Sequence, residues 1–337
     1  MTGPRHTVGT SGSLVRVEVQ RLTSRTFVRL VAGLALLGFL VLAVVAFTQF
    51  SRPTPEILAE AAAQQQAELE LSEQYRQQCL DDPNIPAEQR EFACGPEVVA
   101  DDLQLEYYID KQPFTLGGDL PAGGVAVAAA AAMIGFVVGA TFVGAEWSTR
   151  SIVALLFWEP RRLKVIGVKT GVTAVAAAAF AVVSQFGWLG LGLLLARFRG
   201  TTEVEAGFWA DLAGQGARSV LLVVLATLLG FGLANLIRNT GAALGIAFAY
   251  FAVVETALRN LLPTSQPFLI SDSSAAFVVQ GGLRLFLPGT SVDTGTGFIE
   301  EYTEYIVTNL RGGLTLTAYT LVLLAVGTWL FRRRDLH

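Results

Sequence analysis

Long apolar runs separated by charged segments organise this chain. The first run, Leu30 to Ser51, is uncharged throughout and long enough to cross a hydrocarbon core of about 30 Å at about 1.5 Å per residue. Five further runs follow, and each has the length of a membrane-spanning helix. The pattern therefore predicts an all-α polytopic membrane protein with six transmembrane helices.

Composition agrees with this class. Of the 337 residues 52% are apolar and 15% are charged, and the mean hydropathy is +0.51, which is too apolar for a soluble chain of this length. The two histidines, His6 and His337, stand at the chain ends. Histidine chemistry within the spans is thereby excluded.

Charge segregation predicts the topology. Residues 52–119 carry 15 acidic against four basic residues, whereas arginines precede the first run and Arg332, Arg333 and Arg334 follow the last. Basic flanks stay in the cytoplasm. We expect a multi-pass protein of the cell membrane with both termini cytoplasmic.

The predicted order starts with a disordered tail (1–12), an amphipathic helix (13–29), span 1 (30–51), an extracytoplasmic helical insertion (52–119) and span 2 (120–145). A cytoplasmic loop (146–169), span 3 (170–196), an outer loop (197–218), span 4 (219–237) and span 5 (239–262) come next. An outer connector (263–311), span 6 (312–331) and a cytoplasmic tail (332–337) complete the chain.

Two local features add detail to the amphipathic helix and to the extracytoplasmic insertion. Val15, Val19 and Leu22 fall on one face of a helix that Ser13 can cap, as in an interfacial helix; a basic flank that only sets orientation is the alternative. Cys79 and Cys94, the only cysteines, lie in the exported insertion, where a disulfide persists and stabilises by about 3 kcal/mol. Two unpaired thiols are the alternative.

The loop 146–169 carries five basic and two acidic residues. A short amphipathic helix is predicted from Ser151 to Trp158, and Pro160 should end it near Glu159. This helix presents an apolar set suited to a partner's surface, with Ile152, Leu155 and Leu156 among its members.

The order of Glu146, the short helix, Pro160 with Arg161 and Arg162, and Lys169 resembles the loop between spans 2 and 3 of ABC transporter permeases of the ABCG-like (type V, ABC-2 type) exporter class. The N-terminal VEVQRLTSR and C-terminal FRRRDL segments resemble that class too. Members often carry Gly-Thr where this chain has Arg150 and Ser151.

The resemblance implies roles for particular residues. Residues 13–29 would be an elbow helix with Glu18, Arg21 and Arg25 at its charged positions. The short helix would be a coupling helix that docks on an ATPase through Ile152, Leu155 and Leu156, while Glu146, Pro160, Arg161 and Arg162 set its register. The connector 263–311 would re-enter from the outer face.

The resemblance also implies partners. Two permease subunits in membrane lipid, as a homodimer or as a pair with a paralogue, would work with separate ATP-binding subunits. The chain contains no GxxxxGK[ST], GxSxG, HExxH or CxxC motif, so we expect no enzyme activity, cofactor, metal or nucleic acid for the chain itself. ATP and Mg²⁺ would belong to the partner.

Several alternatives remain open at this point. Gly135 and Gly139 form a GxxxG pair that suits either a dimer contact or packing within one subunit. Glu255 could be a proton or cation site, or an interfacial carboxylate paired with Arg259. An ion-coupled secondary carrier, a non-transporting scaffold or sensor with an acidic outer module, and an ordinary basic loop of a polytopic protein are the competing interpretations of the whole.

Overall fold

A computed structural model describes residues 11–293 and 298–333. Most of the predicted N-terminal tail and the last four residues of the C-terminal tail lie outside this range. Six of the described helices are long and apolar enough to cross a membrane, which agrees with the predicted class. They are α2 (Thr26–Gln49), α5 (Asp119–Ser148), α7 (Arg162–Arg199), α8 (Phe208–Ile237), the composite helix Thr240–Leu261 and α12 (Asn309–Arg333).

The remaining elements connect these six. Helix α1 spans Ser11–Ser24, α3 spans Pro55–Leu80, α4 spans Arg90–Cys94, α6 spans Ser151–Trp158 and α11 spans Ile270–Val278. The composite helix consists of α9 (Thr240–Ala249), a π-helical turn (Tyr250–Glu255) and α10 (Thr256–Leu261). The strands are β1 (Phe114–Thr115), β2 (Gly200–Thr201), β3 (Leu283–Asp293) and β4 (Phe298–Val307).

The contacts divide the chain into two units. The first contains Met1–Gly38, Leu120–Gly190 and Glu205–His337, and the second contains Phe39–Asp119 and Leu191–Val204. The core of the first unit includes Phe142, Ile152, Phe231 and Phe331, all at most 1% exposed. Apolar side chains from helices α5, α6, α8 and α12 therefore share one interior.

Helices α5 and α8 approach each other closely through glycine. A Cβ on Gly139 would lie 2.1 Å from the Thr227 carbonyl oxygen, and one on Gly230 would lie 2.3 Å from the Phe136 carbonyl oxygen. Such distances admit only hydrogen at these positions. The GxxxG pair of α5 thus packs within this chain, against α8.

The second unit contains the predicted helical insertion. Thr54 caps α3 by accepting from the Ile57 amide at 3.3 Å, and Gln65 on α3 donates to the Ala100 carbonyl oxygen at 3.3 Å. The Cys79–Cys94 disulfide links α3 to α4, so the predicted pairing is confirmed. Strand β1 pairs with β2 in parallel.

The outer connector differs most from the sequence prediction. Its second half is an antiparallel hairpin in which β3 pairs with β4, from Leu283 opposite Val307 to Asp293 opposite Phe298. The sequence FIEEYTEYIV of β4 is rich in β-branched and aromatic residues, a strand signature. The resemblance implies short re-entrant helices in this connector and does not fix its shape. Helix α11 packs on α12.

Helix ends differ from the predicted bounds in informative ways. Helix α1 begins at Ser11 rather than at Ser13, and α2 begins at Thr26, four residues before the uncharged run. Helix α7 begins at Arg162, so Lys169 lies inside a continuous helix rather than in the loop. Charged residues at helix ends do not stop a helix, because their long side chains leave the backbone hydrogen bonds intact.

Candidate functional site

Four charged side chains meet in the interior of the first unit. Glu18 lies on α1, Arg25 occupies the break between α1 and α2, Glu146 lies in the last turn of α5, and Lys169 lies on α7. Lys169 Nζ is 2.6 Å from Glu18 Oε2 and 2.7 Å from Glu146 Oε2. Arg25 Nη2 donates to Glu146 Oε1 at 2.9 Å. These four residues are termed the buried ion cluster.

Three of the four side chains in the cluster are withdrawn from solvent, whereas the Arg25 side chain is 24% exposed. Glu18 and Lys169 are 0% exposed and Glu146 is 2% exposed. Two carboxylates face two cations, and Arg21 adds a weaker contact to Glu18 Oε1 at 3.5 Å. A buried charge that loses its partner costs several kcal/mol. The four groups therefore depend on one another.

Phe142 and the α5 backbone complete the environment of the cations. The Phe142 ring centroid lies 4.9 Å from the Arg25 guanidinium carbon and 5.1 Å from Lys169 Nζ, a cation–π arrangement. Arg25 Nη1 also donates to the carbonyl oxygens of Thr141 and Phe142, at 3.2 and 2.9 Å. Arg25 thus attaches the α1–α2 junction to the end of α5.

Helical periodicity explains why these residues turn inward. Glu18, Leu22 and Arg25 recur at the spacing of one helix face, and Leu22 is 5% exposed. Lys169 stands between Val165 (1% exposed) and Val172 (8% exposed) on the buried face of α7. Because these charged residues share a helix face with buried apolar residues, they become buried when those faces pack.

Helix α6 lies beside the cluster and has two different faces. Ile152, Leu155 and Leu156 are buried in the chain's own core, whereas Phe157 is 85% exposed. The expectation that the first three contact a partner therefore differs from the structure. Periodicity identified the apolar side of α6, but the neighbouring spans of the same chain already cover it.

The turn after α6 is held by its own charges. Glu159 pairs with Lys164 at 2.8 Å and with Arg161 at 3.0 Å, and the Lys164 hydrogen bond, with that of Arg161, lowers the pKa of Glu159. Arg162 Nη1 donates to the carbonyl oxygens of Phe331 and Arg332. Pro160 and Arg161 are exposed at this surface.

A second interior contact was not anticipated from the sequence. Trp147 Nε1 donates to Asn235 Oδ1 at 3.2 Å, the Arg238 guanidinium carbon lies 4.2 Å from the Trp147 ring centroid, and Phe331 packs edge-on against that ring. This group joins α5, α8 and α12. Tryptophan near a span end is typical of the membrane interface, and the sequence pattern does not show that Trp147 contacts Asn235 and Arg238.

Glu255 does not pair with Arg259 as expected. Arg259 Nη2 instead lies 2.9 Å from Asp272 Oδ1, and Glu255 accepts from the amide of Ser271 at 3.1 Å and from its hydroxyl. The start of α11 supplies both partners. A one-turn spacing suggested a local ion pair, but the connector packs back onto the span and provides better-placed groups.

The cluster is a set of ion pairs that links helices. Within residues 11–293 and 298–333 no three His, Cys, Asp or Glu residues group as metal ligands. The cluster connects α1, α5 and α7 through three short contacts: Lys169 with Glu18, Lys169 with Glu146, and Arg25 with Glu146. A movement of any one of these helices must move the others or break buried ion pairs.

Fold and site together define a class: a polytopic helical protein with six helices able to cross a membrane and a buried charge cluster that joins three of its helices. Comparison with protein-family models and with curated protein sequences finds no match.

Proposed function

We propose that this chain is the transmembrane permease subunit of an ATP-driven exporter, working as a pair of subunits with a separate ATPase that docks near α1 and α6. The observation that carries this proposal is the buried ion cluster. It connects α1 to α5 and α7, the two helices that flank α6. The order of residues in the loop 146–169 supports the same assignment.

The cluster provides a physical route for coupling. Force on α6 reaches the spans through its buried face, and the ion pairs make α1 move with α5 and α7. An ATPase that binds one arrangement of these helices better than another when loaded with ATP would shift the equilibrium between them. ATP and Mg²⁺ would be held by the ATPase, and this chain would supply the path.

Phe157 is the residue best placed to contact the ATPase. At 85% exposure it is the large apolar side chain of Ser151–Phe157 that its own chain covers least. The buried side of α6 packs on the core and fixes the helix in place. A partner that binds Phe157 therefore loses less binding energy to ordering the helix. We therefore assign the docking contact to Phe157, in place of Ile152, Leu155 and Leu156.

The test is purification of the tagged chain in mild detergent from its native membrane, with assays of subunit composition and ATP hydrolysis. Phe92, which is 96% exposed in the second unit, supplies the matched control. Wild type and Phe92→Asp should retain a stoichiometric ATPase subunit, and Phe157→Asp should lose it while still inserting in the membrane.

Either of two results would contradict the proposal. A wild-type chain without any ATPase subunit would favour the scaffold or the ion-coupled carrier. Equal retention by Phe157→Asp would show that α6 is not the docking surface.

A further inference from the structure

A cavity of about 350 Å³ lies among α5, α7 and α8. Every residue that lines it belongs to the first unit. This volume falls within the usual range of small-molecule sites. Trp188 and Leu120 lie at its buried side, with 7% and 1% exposure, while Phe186 and Trp209 are 68% and 51% exposed at its mouth. Gly124, Ala213, Gly216 and Ala217 keep the space open.

Two carboxamides provide the polar part of the wall. Gln215 Nε2 donates to the Pro121 carbonyl oxygen at 2.7 Å, and Gln185 Nε2 donates to the Gly124 carbonyl oxygen at 3.2 Å. A Cβ on Gly124 would lie 3.5 Å from Gln215 Nε2 and 3.7 Å from Gln185 Oε1. The two amides therefore converge over Gly124.

One acceptor in this wall is unsatisfied. Gln215 is 2% exposed, and its Oε1 accepts no hydrogen bond from any residue that the structure describes. The orientation of the amide follows from the Nε2 bond to Pro121. A buried carbonyl oxygen without a donor is unfavourable, and Gln215 lines the cavity, so a donor bound in the cavity would satisfy this oxygen.

The rest of the lining restricts what can supply that donor. The residues around the cavity carry no charged side chain, and an ion placed there would lose its hydration without a counter-charge. The aromatic and aliphatic wall instead suits a hydrocarbon body. The position near the first turns of α5 and α8 places the donor close to a span end, where a lipid hydroxyl resides.

We propose that this cavity binds a neutral amphiphile: an apolar chain or ring system bearing a hydroxyl that donates to Gln215 Oε1. The site belongs to a single subunit and is independent of the exporter assignment. It distinguishes a hydroxylated lipid from an ordinary acyl chain by one hydrogen bond.

The probes are a photoactivatable long-chain alcohol and its methyl ether, presented to the purified full chain in lipid nanodiscs. The ether has the same apolar body and lacks the donor. Wild type should be labelled around Phe186 and Trp209, with a roughly tenfold preference for the alcohol. Gln215→Leu should keep labelling by both probes and lose the preference.

Ala213→Trp is the second variant, because it fills the cavity while leaving Gln215 in place. It should abolish labelling at these positions by both probes, and its elution and thermal stability show that the chain is folded. Equal labelling of wild type by alcohol and ether would overturn the proposal in favour of ordinary lipid. Absent labelling of the wild-type chain, together with an altered oligomeric state of Ala213→Trp, would assign the cavity to a contact with a second copy and overturn the proposal too.

Discussion

Lys169 has no exposed surface and contacts two carboxylates from two different helices. Its aliphatic stem lies among Val165 and Val172 and its ammonium reaches the ion pairs, so the side chain serves both the apolar core and the charge balance. Removing the ammonium leaves Glu18 and Glu146 buried with only the arginines as compensation.

Lys169→Met should therefore lower the free energy of unfolding by about 3–5 kcal/mol, since it keeps the packing volume but strands buried carboxylates. Thermal unfolding of the purified chain measures the loss. Arg284→Met, which breaks the exposed pair of Arg284 with Glu304, is the control and should cost about 0–1 kcal/mol. Similar losses for the two variants would mean that the cluster does not stabilise the fold.

Arg150 illustrates backbone strain at the entrance to α6. Its φ is +57°, a left-handed conformation that costs a non-glycine residue about 1–2 kcal/mol. Arg150→Gly should raise the free energy of unfolding by about 1 kcal/mol. Ala154→Gly, within α6, should lower it by about 0.5–1 kcal/mol. If both glycines destabilise the chain in thermal unfolding, strain at Arg150 is not the reason.

Asp272 makes the start of α11 sensitive to pH. Its burial raises the pKa above the ordinary value of 3.8; Arg259 opposes this shift and the charge of Glu255 adds to it. Tyr250 also faces Glu255 from the π-helical turn. Because the folded state holds the proton more tightly than the unfolded state, stability falls as pH rises from 3.8 through the raised pKa.

Hydrogen exchange of the α11 amides across that range should therefore show protection that declines as pH rises, after correction for the intrinsic rate. Asp272→Asn removes the titrating group, so its protection should be level. Glu304→Gln, on the exposed β4 pair, should retain the wild-type slope. An unchanged slope in Asp272→Asn would rule out this carboxyl as the cause.

The close packing of α5 on α8 depends on glycine, whose side chain is a single hydrogen atom. Gly139 on α5 faces the Thr227 carbonyl oxygen of α8, where a methyl group would come within 2.1 Å, whereas Gly33 on α2 has no neighbouring heavy atom within 4 Å. The two glycines occupy helices of similar composition. Their environments within the chain are opposite.

Gly139→Ala should thus destabilise the chain by about 1–3 kcal/mol, because two backbones must separate. Gly33→Ala should be neutral or slightly stabilising, because alanine favours the helix. Thermal unfolding in one detergent compares the pair. Equal effects would indicate that α5 and α8 adjust without cost.

The chain as a whole is expected to place its acidic insertion outside the cell and α6 inside, because the basic residues flank the other ends of the spans. A background with Cys79→Ser and Cys94→Ser allows single-cysteine labelling by a membrane-impermeant maleimide. Phe92→Cys should react on intact cells, and Phe157→Cys should react only after permeabilisation. The reverse order would contradict both the topology and the proposed docking of an ATPase.

The candidate site is only partly predictable from the sequence. The sequence singles out Glu18 and Arg25 as charged positions of the elbow helix, and Glu146 and Lys169 as the ends of the loop 146–169. The structure pairs them across sequence separations of 121 and 151 residues. Helical periodicity reports only which residues share a face of one helix, so it cannot show that three faces meet.

The six helices able to cross a membrane and the position of α6 follow from the order of residues alone, whereas the sequence left the Cys79–Cys94 pairing open and the structure decides it. Long apolar runs must become helices in lipid because each backbone group has to be satisfied within its own segment, and that requirement is local. The buried ion cluster, the covered face of α6, the Gln215 cavity and the β3–β4 hairpin depend instead on which segments pack together. Packing brings together residues that are far apart in the sequence. Only the folded chain therefore shows that charged residues such as Lys169 are buried and paired.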